Sequence, residues 1–105
     1  MKTFFFHFRV TPAENSVHAQ RLTRGLAAVW AVAGSLEEAR QRCRDYLSRH
    51  WAIQEELDGR ETTLEDHNER PEGRALFLQA QVKGIAAGIV ATGIDESASA
   101  DFSSN

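Results

Sequence analysis

His7 and Arg9 are the first residues in the chain whose types and spacing invite chemistry. They stand two apart in Phe4-Phe5-Phe6-His7-Phe8-Arg9-Val10. On a strand that spacing places them on one face together with Phe5. An imidazole that titrates near neutrality, set beside a guanidinium, can hold an anion or move a proton. Phe5, His7 and Arg9 therefore form a candidate ligand or interface surface. An exposed strand pair is the simpler account of the same spacing. A second basic group, His18, Arg21 and Arg24, falls within the polar stretch Thr11–Gly25. It forms a candidate anion-binding loop, with a solvated connection as the simpler account.

Other chemistry finds less support. Glu65-Asp66-His67-Asn68-Glu69 offers adjacent oxygen and nitrogen donors, but without EF-hand or H-E-x-x-H spacing. It reads as a solvated charged loop, and no metal is expected. Cys43 is the one cysteine, so neither an internal disulfide nor a cysteine-based zinc site can form. It falls on an apolar helical stripe, where a buried and inert thiol is expected. There is no Ser/His/Asp context, no glycine-rich phosphate loop and no paired carboxylates placed for a cleft. Gly84, Gly88 and Gly93 are too widely spaced for a dinucleotide fingerprint. No catalytic residue and no cofactor is assigned, and the reading leans away from an enzyme.

The elements that must position these residues follow from periodicity. Lys2–Val10 alternates as a strand, with Phe4, Phe6, Phe8 and Val10 facing a core. Leu26–Ala33 is apolar at nearly every position, the pattern of a strand covered on both sides. Ser35-Leu36-Glu37-Glu38 fits a capping box and opens a helix to Arg49, whose stripe is Leu36, Ala39, Cys43, Tyr46 and Leu47. Trp51–Leu57 reads as a strand with Trp51, Ile53 and Leu57 facing in. Asp58-Gly59 signals a hairpin turn, with Arg60–Leu64 as the return strand. Leu64–Gly73 reads as loop. Pro71 begins a second helix to about Lys83, Gly84 stops it, and Ile85–Thr92 is the last strand. Ile94–Asn105 is rich in Ser, Ala and Asp; residues 95–105 are expected to be a disordered tail behind a single domain of residues 1–94.

The order strand, strand, helix, hairpin, helix, strand predicts an α+β fold. Without the first strand it is β-α-β-β-α-β, a ferredoxin-like two-layer sandwich. A mainly antiparallel sheet of four or five strands is expected, with both helices on one face and an extra N-terminal strand, either an added edge or paired with Leu26–Ala33. The runner-up is a sheet without the Arg60–Leu64 strand. The run Val29–Ala39 with Tyr46-Leu47 and Trp51-Ala52-Ile53 resembles small bacterial α+β proteins of unknown function, which share an aromatic first strand and a Ser-Leu-Glu-Glu-Ala helix start. That helix start is also similar to the one in small antitoxin domains. The resemblance implies no mechanism.

The 105 residues carry a net charge of −3, unevenly spread. Residues 1–50 hold eight Lys/Arg against four Asp/Glu, giving +4; residues 51–105 hold four against eleven, giving −7. The acidic half argues against general nucleic-acid binding, which rests on phosphate contacts. Met1-Lys2-Thr3-Phe4-Phe5-Phe6 begins like a signal peptide, but His7 and Arg9 interrupt it. No stretch is apolar enough to span a membrane, and a cytoplasmic protein is expected. The leading functional expectation is a non-enzymatic, self-associating interaction domain, a homodimer formed through the sheet face opposite the helices. The alternatives are a cofactor-free ligand-binding or enzymatic dimeric α+β barrel with His7 in its pocket, and a nucleic-acid-binding or antitoxin-type regulator using the basic half.

Overall fold

Phe4, Phe6, Phe8 and Val10 are all buried on one side of the first strand, while Phe5 and His7 are half-buried on the other. In the computed structural model, which describes residues 1–13 and 22–94, that strand is β1 (Lys2–Pro12) and lies inside the sheet. The other elements are β2 (Leu22–Ala33), α1 (Leu36–Leu47), β3 (Trp51–Glu61), a 3-10 turn (Leu64–His67), α2 (Pro71–Lys83) and β4 (Ile85–Ile94). One four-stranded antiparallel sheet runs in the order β3-β1-β2-β4. The fold is α+β, as expected, but the strand order departs from the ferredoxin-like arrangement. The first strand is not an added edge: it pairs with Leu26–Ala33, the other placement expected for it, and with β3 on its other side. One split βαβ unit remains: β2 and β3 run parallel on either side of β1, and α1 connects them.

The two helices lie on opposite faces, not on one. Ala39, Cys43 and Leu47 of α1 pack with Phe4, Phe6, Phe8, Val10, Ala27, Val29, Ala31, Ala33 and Trp51. Phe77 and Ala80 of α2 pack with Trp30 and Ala86, joined by Phe5, Ala28, Leu64 and Leu76. This explains the unbroken apolar run of β2: its odd positions from Ala27 to Ala33 face α1, and Ala28 and Trp30 face α2. A chain this short does cover both faces, because each helix crosses differently. α1 leaves β2 at Ala33, beside Lys2, and enters β3 at Trp51, beside Pro12, so it returns along the length of the sheet. The turn and α2 join Glu61 to Ile85, both near Phe4, and so cover one end of the other face.

The Asp58-Gly59 hairpin does not form. β3 is continuous from Trp51 to Glu61, and Arg60 belongs to it instead of opening a return strand. Against β1, register shifts between His7/Phe8 and Arg9/Val10 leave Leu57 and Gln54 without direct partners. Each bulge moves later residues to the opposite face. Glu56 thereby turns toward α1, and Leu57, expected inside, is 39% exposed. The stretch Thr11–Gly25, expected as loop, is strand at both ends.

The caps match local chemistry. Ser35 Oγ accepts from the Glu38 amide at 3.2 Å, and Glu38 Oε2 accepts from the Gly34 amide at 3.2 Å, one residue before the Ser35 amide that a capping box uses. Tyr46, expected on the buried stripe of α1, is 41% exposed. Pro71 occupies the first turn of α2, and Gly84 ends it at φ +88°, with its amide donating to Ala80 O.

Candidate functional site

The predicted surface Phe5-His7-Arg9 lies on the face that α2 partly covers, and burial falls along it. The Phe5 ring is 4.9 Å from Trp30 and 6.2 Å from His67, with the Arg60 guanidinium 5.6 Å from its centroid. His7 is half-buried opposite Asp58, its ring 6.2 Å from Phe5. Arg9 is exposed and pairs with Glu55 at 2.5 Å. The three therefore grade from helix-covered to solvent. Of the candidate anion loop, Arg24 is an exposed residue of β2, whereas His18 and Arg21 lie outside the described residues. The expected tail, 95–105, lies outside them as well.

A cluster that the sequence pattern does not announce forms under α2. His67, expected in a solvated loop, is only 8% exposed. Its Nε2 accepts from Trp30 Nε1–H at 3.0 Å and stands 3.1 Å from Thr62 Oγ1. The Thr62 hydroxyl donates to Asp66 Oδ2 at 2.9 Å, and the Thr63 amide donates to the same oxygen at 3.0 Å. Trp30 meets the imidazole edge-on at 5.4 Å, and Phe77 closes the other side at 5.8 Å. Burial holds the His67 imidazole below its usual pKa, against the pull of Asp66. The Thr63 amide, the Thr62 hydroxyl and nearby charge hold Asp66 below the usual carboxylate range. One sequence signal points here: a tryptophan in a doubly covered strand carries a donor that needs an acceptor.

This arrangement cannot work as a hydrolytic triad. The His67 lone pair that would activate Thr62 already accepts the indole, and Thr62 is 4% exposed. Among the described residues no group of three His, Cys, Asp or Glu side chains is placed to hold a metal ion. No helix among them is long and apolar enough to cross a membrane. Two arginines of α1 are engaged within the chain. Arg40 pairs with Glu37 and with Glu56 at 2.8 Å, and Arg42 donates to Val32 O at 2.5 Å.

The sheet has two unlike edges. β3 carries Glu55, Glu56, Asp58, Arg60 and Glu61 along with its two bulges, features that keep an edge from recruiting another strand. β4 reads Ile85-Ala86-Ala87-Gly88-Ile89-Val90-Ala91-Thr92-Gly93-Ile94, with neither a charge nor a proline. Among the described residues it pairs with β2 alone. Val90 is 67% exposed beside that edge, and α2, which ends where β4 begins, turns Leu78 and Val82 to solvent. No protein-family model matches the chain, and no curated protein or solved structure is significantly similar to it.

Proposed function

We propose that this chain is a non-enzymatic interaction domain that associates with a second copy of itself through β4. The contrast between the two sheet edges carries the reading. A strand edge offers a row of backbone donors and acceptors to any passing strand, and soluble proteins blunt such edges with charge, proline or bulges. β3 has charge and two bulges along its length. β4 has neither charge nor proline, and its pairing with β2 is regular from Ala91 back to Ile85, the register shifts being confined to its far end beyond Ala91. Two β4 strands paired antiparallel about a two-fold axis make an isologous contact and one continuous sheet. The solvent-facing Val90 supplies apolar surface on that edge strand.

The expected interface thus moves from the sheet face to the sheet edge. With α2 over Phe5 and Trp30, the face opposite α1 is no longer bare along its length. Phe5→Glu would now test folding and not association. Light scattering behind size exclusion, at high micromolar concentration, tests the proposal. A dimer mass is expected for the wild type and a monomer mass for Val90→Lys, with unchanged circular dichroism. A monomeric wild type would overturn it.

A further inference from the structure

His67 stands where the Leu64–His67 turn meets the sheet, and its Nε2 has two neighbours of different kinds. The Trp30 indole only donates, so Nε2 accepts and the neutral ring carries its proton on Nδ1. The ring's one free lone pair is thus the pair that holds Trp30. A second proton must add at that nitrogen and displace the indole.

The Thr62 hydroxyl is placed to receive the displaced bond. Its oxygen is 3.1 Å from Nε2, and its own proton goes to the Asp66 carboxylate. An imidazolium Nε2–H can donate to Thr62 Oγ1 while Thr62 donates to Asp66, leaving a negative charge at the end of the chain of bonds. We propose that His67 is a proton-operated switch: neutral, it accepts the Trp30 indole and ties the turn to the sheet; protonated, it donates to Thr62, releases Trp30 and loosens the turn and α2. The proton comes from solvent and no other covalent bond changes.

The charges around the ring are few. On its own turn Asp66 favours the imidazolium, and from β3 Arg60 opposes it. β1 presents Phe5, with His7 beyond it, and β2 presents Trp30. α2 presents Phe77 and the backbone of Gly73, where an added Cβ would lie 3.4 Å from Nδ1. Burial keeps the neutral state in place at neutral pH. The released state uncovers Phe5, Trp30 and Ala86, the apolar floor beneath α2.

Nitrogen-15 NMR of the full chain tests this. At about pH 7.5 the His67 Nε2 should show the shift of an unprotonated ring nitrogen and the Trp30 indole proton should be protected from exchange. Acidification should move the Trp30 signal and remove that protection, with a midpoint below the ordinary histidine value of 6.5. His67→Gln keeps an acceptor that does not titrate and should flatten the response. Thr62→Val removes the receiving oxygen and should lower the midpoint by roughly half a unit or more. An Nε2–H tautomer at neutral pH, a Trp30 signal unchanged down to about pH 4.5, a transition that survives His67→Gln, or a midpoint unmoved by Thr62→Val would each overturn the switch. The wild-type readings decide the matter if a variant fails to fold.

Discussion

Gly59 lies against the Phe6 ring, where an added Cβ would stand 2.7 Å from Cε1 and 2.8 Å from Cδ1. Phe6 is fully buried, stacked 5.8 Å from Phe8, with the Arg40 guanidinium 5.7 Å from its centroid. The ring is enclosed, so it yields only by displacing its neighbours. Gly59→Ala is therefore expected to destabilise the fold by about 1–3 kcal/mol, the usual cost of overpacking. A lower urea midpoint at unchanged slope would show it; an unchanged midpoint would mean that the ring yields.

Gly73 and Gly84 should respond to alanine in opposite directions. Gly73 is inside α2 and an added Cβ meets nothing closer than 3.4 Å, so Gly73→Ala should stabilise by about 0.4–1 kcal/mol. Gly84 sits at φ +88°, and its Cβ would come within 3.0 Å of Arg42 Nη2. Gly84→Ala should cost about 1–2 kcal/mol from the left-handed backbone alone. Thermal melts of the two variants beside the wild type are the check.

Stability should fall with acid in two windows. The folded-state pKa of His67 is lowered, so the unfolded chain binds the proton first. Its contribution is complete above the ordinary value of 6.5 and is lost as pH falls below it toward the folded value. Asp66, also lowered, contributes above its ordinary value of 3.8 and loses that contribution in stronger acid. Urea midpoints across this range should drop in the upper window for the wild type and not for His67→Gln. Equal drops in both would remove His67 as the cause.

Cys43 should resist thiol reagents in the native protein. It is fully buried between Ala39 and Leu47 on α1, and burial pushes its thiol up to about 12. Labelling should be slow in buffer and fast in denaturant. Fast native labelling would contradict the register of α1 described above.

Local signals carried much of this architecture. The alternation of Phe4, Phe6, Phe8 and Val10, the Ser35 cap, Pro71 and Gly84 each specify their element with neighbours alone. Asp58-Gly59 misled because a glycine that permits a turn also permits an aromatic ring from the next strand to lie on it. Strict alternation failed in β3 because each bulge shifts the faces by one, and bulges depend on the partner strand. The His67 cluster was illegible for a similar reason. Trp30 and His67 are 37 residues apart, and only the crossing of α2 brings the turn over β2.

The two cores also differ in when the chain can complete them. Every buried member of the core beneath α1 falls between Phe4 and Trp51. The buried members of the other core are Trp30 and three residues from Phe77 to Ala86. As the chain leaves the ribosome, the residues of β1, β2, α1 and β3 emerge before those of β4. Until Ile85–Ile94 emerges, the nascent chain carries β2 with an unpaired side, and Phe5 and Trp30 without a cover. That interval is when this sequence is most exposed to wrong strand partners, and a pause in synthesis before β4 would lengthen it.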